Sequence, residues 1–242
     1  MQTLSADRRV TQMPLFRAPA PSPRDVDVHA ISRPARAYTG DFYFTHRDGE
    51  RLWIAIGDVA GKGVHAAVIM GMIQEELEHR ITSCARTGCD PAITITWLDL
   101  FLRNVLPNNR FASVAIAQIR DSGSVAIVNG GHCPLVIARR DGSIETIGST
   151  GPVLGILPDA KWRSIEMPFH RGDALLAYTD GVTEARSNAG EELGLGALRA
   201  AFSNAAAKRA TAREIGDDIA ATVERHSGAR RDDDVTIIIA RR

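Results

Sequence analysis

Hydrophobic and polar residues follow two different periods along this chain, and the first block of the pattern predicts extended structure. Val26, Val28 and Ala30 alternate with polar residues, which is typical of a half-buried strand. A second extended run reaches Thr45, and the apolar run at residues 52–56 comes directly after a turn at residues 47–50. Two extended runs joined by so short a turn predict a β-hairpin.

The rest of the pattern predicts helices and strands in separate blocks. A helix over residues 64–86 carries an apolar stripe, and Pro91 begins a second helix that runs to residue 105. Six short strands follow at residues 111–119, 124–128, 135–138, 144–147, 163–167 and 174–178, then helices at 195–207 and 212–226 and a strand at 235–240. Because strands and helices do not alternate, we expect a layered α+β domain and no doubly wound parallel sheet.

The composition favours a single domain that has no preference for anionic partners. The chain has 242 residues, of which 44% are hydrophobic, and its 29 basic and 29 acidic residues give a formal net charge of zero. A neutral chain gives no electrostatic reason to bind nucleic acid or an anionic membrane. No apolar stretch approaches the ~20 residues of a membrane span. Neither nucleic acid nor a membrane is therefore an expected partner.

Residues 1–24 differ in composition from the residues that follow them. Pro14, Pro19, Pro21 and Pro23 end any helix there and favour an extended connector. We therefore expect a Pro-rich N-terminal extension over residues 1–24 and one folded domain over residues 25–242. The extension lacks the apolar core of a signal peptide, and the three cysteines of the chain form no Cys-x-x-Cys. Reduced thiols and a cytoplasmic location are the expectation.

Five aspartates lie at the ends of apolar runs or beside glycine and small polar residues. They are Asp41, Asp58, Asp180, Asp233 and Asp234. A carboxylate at the end of a buried strand is explained if a cation binds it, and Mg²⁺ and Mn²⁺ take oxygen ligands of this kind. Each aspartate taken alone also fits a turn or a solvated strand start. The set as a whole predicts a carboxylate-bound metal centre.

Several other motifs are incomplete. The segment at residues 57–63 has three residues between its first two glycines and no Ser or Thr after its Lys, so it is not a phosphate-binding P-loop. A dinucleotide fingerprint at Gly61 and Gly63 is opposed by Asp58, which would repel a pyrophosphate. The patterns of zinc proteases and serine hydrolases are missing from the sequence. His132 lies in a Gly-rich loop, where a histidine bonded to backbone is the simplest interpretation.

Five segments, taken in order, carry a resemblance to a known family. They are residues 39–43 (TGDFY), 56–64 (IGDVAGKGV), 129–134 (NGGHCP), 172–185 (GDALLAYTDGVTEA) and 233–236 (DDVT). Their order and spacing resemble the bacterial metal-dependent protein phosphatases of the PPM (type 2C) group, in the subgroup of SpoIIE and RsbU. The resemblance covers residues 25–242. It implies a four-layer α-β-β-α sandwich, in which two antiparallel sheets are flanked by helices.

The resemblance also implies an activity and a set of metal ligands. The activity is hydrolysis of phosphoserine or phosphothreonine on a protein, by a water held between two Mn²⁺ or Mg²⁺ ions. Asp58 would bridge the ions, and the Val59 carbonyl and Asp41 would serve the second ion. Asp180 and Asp233 would hold the first ion. Asp234 is an alternative to Asp233, because the run of three aspartates at residues 232–234 leaves the alignment open by one position.

Three departures from the family pattern are visible. Thr39 stands where the family often has Gly, and Gly130 replaces an Ala. Eukaryotic relatives place a phosphate-binding Arg four residues before the first acidic ligand, and Ala37 occupies that position here, with Arg33 and Arg36 nearby. The residue that binds the substrate phosphate therefore stays open.

The expected partner is a phosphorylated regulatory protein, such as an anti-sigma-factor antagonist, and that substrate class comes from the resemblance alone. Control by a partner protein or by formation of a homodimer is also expected. Two other functions are weighed against the phosphatase. One is a catalytically silent module that binds such a regulator, and the other is a metal-dependent hydrolase of nucleotides or small phosphoesters.

Overall fold

The computed structural model describes residues 25–35, 38–61, 63–84, 89–106, 110–208, 210–228 and 232–242. The predicted extension over residues 1–24 lies outside this part of the chain. The described residues form ten strands and five helices. The strands are β1 (Asp27–Arg33), β2 (Asp41–Asp48), β3 (Arg51–Val59), β4 (Ala112–Arg120), β5 (Ser124–Gly130), β6 (Leu135–Ala138), β7 (Ile144–Ile147), β8 (Ile165–Pro168), β9 (Ala174–Tyr178) and β10 (Val235–Arg241). The helices are α1 (Val64–Cys84), α2 (Pro91–Val105), α3 (Asp180–Thr183), α4 (Gly194–Ala207) and α5 (Ala212–Ser227).

The strands form two five-stranded sheets with antiparallel pairing between the named strands. One sheet has the order β1-β10-β9-β6-β7 and the other the order β2-β3-β4-β5-β8. Three apolar clusters separate four layers: one between α1, α2 and the second sheet, one between the sheets, and one between the first sheet and α4 and α5. The fold class predicted from the sequence is thus confirmed as an α-β-β-α sandwich.

Strand β3 illustrates why the central strands are apolar on both faces. Leu52, Ile54 and Ile56 contribute to the cluster between the sheets, and Trp53 and Ala55 to the cluster under α1 and α2. Successive side chains of a strand point to opposite faces of the sheet, so a strand covered on both faces needs a continuous apolar run. All five side chains are at most 1% exposed. Their burial fixes the strand whose end carries Asp58.

The β2–β3 hairpin sets the register of the first two candidate ligands. Its two-residue connection begins at Gly49, whose φ of 54° lies in the left-handed region that glycine adopts without a steric penalty. The pairing that leaves the turn matches Asp48 with Arg51, which form an ion pair at 2.7 Å. Seven residues further along each strand, the same register brings Asp41 opposite Asp58. The turn therefore determines which side chains meet at the far end of the hairpin.

Local signals explain the ends of two helices. Asp90 caps α2, since its side chain accepts a hydrogen bond from the Ala92 amide at 2.7 Å, and Pro91 occupies the first turn. Thr211 and Glu214 form a capping box at the start of α5, in which each side chain accepts from the other residue's backbone amide. No helix of the described residues is long and apolar enough to cross a membrane.

Two features of the described chain differ from the sequence expectations. The short helix α3 directly after β9 was not predicted, because four residues are too few to show a helical period. Cys89 is disulfide-bonded, which corrects the expectation of a reduced thiol at that position. Cys133 is a free cysteine, as expected.

Candidate metal centre

The five aspartates singled out by the sequence line one cavity at an edge of the sandwich. The cavity has a volume of about 110 Å³. Its described lining consists of Ala35, Tyr38, Gly40, Asp41, Asp58, Gly61, Asp180, Asp232, Asp233 and Asp234. Residues from four separate stretches of sequence therefore meet at one place, and most of the polar lining is carboxylate.

Sheet topology explains the convergence. Asp41 begins β2 and Asp58 lies next to the end of β3, and the start and end of antiparallel neighbours share one edge of a sheet. In the other sheet, Asp180 follows the end of β9, and Asp233 and Asp234 precede the start of β10, which is its antiparallel neighbour. The two edges face the same cavity. Each sheet thus contributes a pair of chain segments that carry aspartates.

Asp41 and Asp58 are directly opposite each other in the β2–β3 ladder. Like charges at opposed positions of neighbouring strands destabilise a sheet, because the Cβ atoms are only ~5 Å apart. Burial increases the free-energy cost of a charged Asp41 carboxylate further, because this residue is only 3% exposed. An arrangement of this kind is stable where the carboxyl groups are protonated or share a cation.

Gly40 opens a space beside two of the predicted ligand oxygens. A Cβ atom at residue 40 would come within 2.7 Å of Asp58 Oδ1 and 2.8 Å of the Val59 carbonyl oxygen. A real Cβ atom does not approach oxygen so closely, so a larger residue would displace one of them. The Asp58 carboxylate and the Val59 carbonyl therefore face a common space that glycine keeps open.

Two threonines of the other sheet hold the Asp41 carboxylate. The hydroxyl of Thr179 donates to Asp41 Oδ2 at 2.7 Å, and the hydroxyl of Thr236 donates to the same oxygen at 2.8 Å. Both threonines are fully buried. These bonds join the two sheets at the cavity and fix the orientation of the Asp41 carboxylate. Both threonines belong to the five family segments of the sequence, but no role was predicted for them. Their contact with Asp41 joins residues of two different sheets, which a sequence pattern does not show.

Asp180, Asp233 and Asp234 are positioned by tight backbone contacts. Asp180 begins α3, and a Cβ atom at Gly181 would lie 2.0 Å from the Asp234 carbonyl oxygen, so glycine is required for the two segments to pack. Asp234 Oδ1 accepts a hydrogen bond from the Ala35 amide at 2.7 Å. Asp233 Oδ1 accepts one from the Asp234 amide at 3.0 Å. These two bonds use Oδ1 of Asp234 and of Asp233, so Oδ2 of each carboxylate could still bind a cation.

The carboxyl groups raise one another's pKa. Burial raises the pKa of Asp41 to about 8, the two threonine hydroxyls oppose the rise, and Asp58 and Asp234 add to it. Burial also raises the pKa of Asp58 to about 7, followed by repulsion from Asp180, Asp233 and Asp234. The pKa of Asp180 is raised by burial and by Asp233. These shifts describe a concentration of negative charge that the protein itself does not neutralise.

Carboxylate and carbonyl oxygens are the donor set that Mg²⁺ and Mn²⁺ prefer, so the residues fit a hard divalent cation. Among the residues that the structure describes, no three Asp, Glu, His or Cys side chains are grouped closely enough to hold an ion by themselves. A cation would draw the same side chains together.

Neighbouring residues support the loop that carries Val59 and Gly61. The Arg110 guanidinium donates to the Ala60 carbonyl at 2.6 Å and fills the space where Gly61 would have a Cβ atom. The Ala60 amide donates to the Phe111 carbonyl at 2.9 Å. The backbone of Ala60 is therefore held on both sides by the segment before β4. No local sequence pattern predicts this contact, since Arg110 is remote from the loop along the chain.

His132 and Cys133 lie close to the aspartates in the sequence motifs or the fold, but their pKa values do not suit a catalytic base or a nucleophile. Burial lowers the pKa of His132 to about 4, and its Nδ1 lies 2.8 Å from the Ser113 hydroxyl. Ser113 is the β4 neighbour of Asp58. Burial, followed by Asp180, raises the pKa of the Cys133 thiol to about 12. The histidine is therefore neutral and the thiol protonated at neutral pH.

Comparison with known proteins assigns the fold to a class. The SiaA-PP2C domain of Pseudomonas aeruginosa superimposes with a TM-score of 0.79 at 21% identity, over 89% of this chain and 85% of that one. A crystal structure of RsbX in complex with magnesium gives a TM-score of 0.68 at 16% identity, over 91% of this chain and 96% of that one. The fold is therefore that of PP2C phosphatase domains.

The sequence places the chain in a family. Residues 48–242 match the model of the family described as Stage II sporulation protein E (SpoIIE), so the chain belongs to that family. The phosphoserine phosphatase RsbU of Bacillus subtilis (strain 168) is 30% identical over 181 residues, which are 74% of this chain and 53% of RsbU. The chain thus spans about half the length of that relative. The family resemblance drawn from the five motifs is confirmed.

The space beside Gly40 can be tested with the Gly40→Ala variant. We expect Mn²⁺ affinity to fall by ~10- to 100-fold, because the added methyl group must displace the Asp58 carboxylate or the Val59 carbonyl. Isothermal titration calorimetry measures the affinity, and a thermal melt shows whether the fold survives. Gly148→Ala is the matched control, since a Cβ atom there would meet nothing within 4 Å. Unchanged Mn²⁺ binding by Gly40→Ala would contradict this description of the site.

The raised pKa values predict how stability depends on pH when no metal is present. A carboxyl group whose pKa is higher in the folded state binds more protons there than in the unfolded chain, so its contribution is full below the unfolded pKa of 3.8 and is lost as pH rises through about 7 for Asp58 and about 8 for Asp41. In EDTA, we therefore expect a lower melting temperature at pH 8.5 than at pH 5.5. Asp41→Asn should flatten this slope, and an equally steep slope in that variant would argue against the assignment.

Proposed function

We propose that this chain hydrolyses phosphoserine or phosphothreonine on a protein, with divalent cations bound by its aspartate cluster. The observation that carries the proposal is the meeting of Asp41, Asp58, Asp180, Asp233 and Asp234 in one cavity whose charge is unbalanced. Membership of the SpoIIE family supports the reaction class. So does the similarity to RsbU, which is named a phosphoserine phosphatase.

The ligand roles follow the family resemblance, and the geometry of the cavity is compatible with them. Asp58 would bridge two Mn²⁺ or Mg²⁺ ions and the Val59 carbonyl would join it on the second ion, and both residues have an oxygen that faces the space beside Gly40. Asp41 would also serve the second ion, either directly or through a water, since two threonine hydroxyls already donate to its Oδ2. Magnesium in the RsbX complex is an independent reason to expect a hard cation.

Asp180 and Asp233 are the proposed ligands of the first ion. Asp233 raises the pKa of both Asp58 and Asp180 more strongly than Asp234 does, which supports its closer association with that pair. Asp234 acts more weakly on that pair and also raises the pKa of Asp41, and its Oδ1 accepts a hydrogen bond from the Ala35 amide. These contacts favour Asp233 over Asp234, with Asp234 as a support for the β1 end of the cavity.

The reaction follows from a site of this composition. Two bound cations would lower the pKa of a water and stabilise the oxygens of an in-line displacement at phosphorus. The negative charge of the aspartates would balance the positive charge of the cations. The Thr179 and Thr236 hydroxyls keep Asp41 in one orientation. The half-buried thiol of Cys133 has a pKa raised to about 12, so the chemistry we propose forms no covalent link to it.

The wider setting of the reaction is part of the same proposal. The domain comprises residues 25–242 and follows an N-terminal extension over residues 1–24. The substrate is a small phosphorylated regulatory protein, such as an anti-sigma-factor antagonist, and the reaction takes place in the cytoplasm. Activity is controlled by a partner protein or by formation of a homodimer.

A phosphatase assay tests the proposal. The chain should release phosphate from a phosphoserine peptide with Mn²⁺ or Mg²⁺ and lose this activity in EDTA. Asp58→Asn should lower kcat by at least ~100-fold while the protein still melts cooperatively, because one carboxylate oxygen is replaced by a poor metal ligand. Near-full activity of Asp58→Asn would contradict the bridging assignment.

The other functions weighed above give different results in the same assay. A silent binding module would release no phosphate with any metal, yet retain a phosphorylated regulator on a column. A hydrolase of small phosphoesters would act on nucleotides and not on phosphopeptides. A panel of phosphopeptides, nucleotides and p-nitrophenyl phosphate, each with Mn²⁺ and with EDTA, therefore separates the three.

A further inference from the structure

A larger cavity adjoins the candidate metal centre. Its volume is about 390 Å³, and it shares Asp232 and Asp233 with the aspartate cavity. Its walls come from the end of β1, from α3 and the turn after it, from the last two turns of α5, and from the start of β10. A phosphorylated residue bound at the aspartates would therefore place its neighbours in the peptide chain near this second cavity, since consecutive Cα atoms are ~3.8 Å apart.

The floor of this cavity is apolar. Ala220, Val223 and Val235 line it and are at most 6% exposed, and Ala185 adds to the same surface. A long side chain with an aliphatic stem could pack on this floor and gain from burial of its methylene groups, by ~0.8 kcal/mol for each fully buried one. The volume suits one or two side chains and excludes a folded element.

Among the residues that the structure describes, the charged side chains around the floor are mostly acidic. The two arginines of the described lining are each paired with a glutamate: Arg33 with Glu224, and Arg186 with Glu192. Glu184 also lines the cavity and is exposed to solvent. In the part of the chain that the structure describes, its carboxylate has no hydrogen bond and no ion pair. Burial, then Asp180, Glu192 and Asp233, raise its pKa, and Arg186 opposes the rise without cancelling it. Three acidic neighbours among the described residues thus act on Glu184 against one basic neighbour.

We propose that this cavity binds the side chain of a Lys or Arg that lies next to the phosphorylated residue of the substrate, with Glu184 as the carboxylate that recognises its cation. The inference rests on the proposed phosphatase function and adds a sequence preference to it. The aliphatic stem lies on the floor formed by Val223 and Val235, and the cationic group reaches Glu184. Glu184 determines specificity here and takes no part in the chemical step.

The occupant follows from charge and shape together. An acidic side chain would meet Glu184, Glu224 and Asp233, and an aromatic one would leave Glu184 without a counter-charge. A Lys or Arg side chain satisfies both the apolar floor and the carboxylate. Because Glu184 is exposed, its pairing with a cation is expected to be worth about fivefold in kcat/KM and to weaken as salt is added.

The test compares phosphoserine peptides that differ at one flanking position. Lys, Gln or Glu is placed at each position from three before to three after the phosphoserine, and kcat/KM is measured with Mn²⁺ at low and high salt. At one or two positions we expect Lys to exceed Gln by about fivefold and Glu to be the poorest, with the difference shrinking at high salt. The readout is the ratio between peptides, so it is independent of the absolute rate.

Variants identify the residue responsible. In Glu184→Gln the Lys-to-Gln ratio should fall to about 1, and in Glu184→Lys the Glu peptide should become preferred over the Lys peptide. Glu191→Gln is the matched control, since Glu191 lies in the same loop and is not part of the cavity lining, and it should keep the wild-type ratio. If a Glu184 variant fails to fold, assays of the Lys, Gln and Glu peptides with the wild-type protein still show whether the cavity prefers a cationic neighbour.

The outcomes separate this inference from the proposed function. Hydrolysis of all peptides at equal rates, or a Lys preference that survives Glu184→Gln, would overturn the subsite and leave the phosphatase activity standing. No metal-dependent hydrolysis of any peptide would overturn the proposed function, and the subsite with it.

Discussion

The opposition of Asp41 and Asp58 across the β2–β3 hairpin is the constraint on which the rest of the site depends. The register of the hairpin sets this opposition. The apolar residues of β3 must face the cluster under α1 and α2 on one side and the cluster between the sheets on the other. A slip of one residue would exchange the side chains that β3 gives to the two clusters, so Trp53 would have to pack between the sheets and the fit of both clusters would be lost. The fold thus brings two carboxyl groups together at a buried edge, where they are stable if they are protonated or, as we propose, if they share cations.

The second sheet completes this arrangement through hydroxyl groups and aspartates. Thr179 and Thr236 donate to Asp41, so the orientation of a proposed ligand in one sheet depends on residues at the end of β9 and in β10 of the other. Asp180 and Asp233 arrive at the same edge because β9 ends where its antiparallel neighbour begins. Packing of the two sheets is therefore coupled to the geometry of the aspartate cavity. A change in inter-sheet packing would move one pair of carboxylates relative to the other.

Much of this could be predicted from the sequence, for reasons that are local. The period of apolar residues and the short turn before Arg51 define the hairpin, and the aspartates follow directly on apolar runs. What the pattern could not provide is contact between remote segments. The threonine bonds to Asp41, the Arg110 support of Ala60 and the tight fit of Gly40 against Asp58 all join residues whose proximity depends on how sheets pack. The helix α3 is too short to have a period, and the large cavity beside Glu184 exists only between folded elements.

We propose that cations offset the charge that the register concentrates at Asp41 and Asp58. Anomalous diffraction from a crystal of this protein grown with Mn²⁺ would locate such cations directly. We expect two anomalous peaks ~3.5–4 Å apart in the cavity, with an oxygen of Asp58 on each and the Val59 carbonyl on one. Manganese peaks elsewhere, or a cavity without manganese in which the five aspartates stay apart, would contradict it.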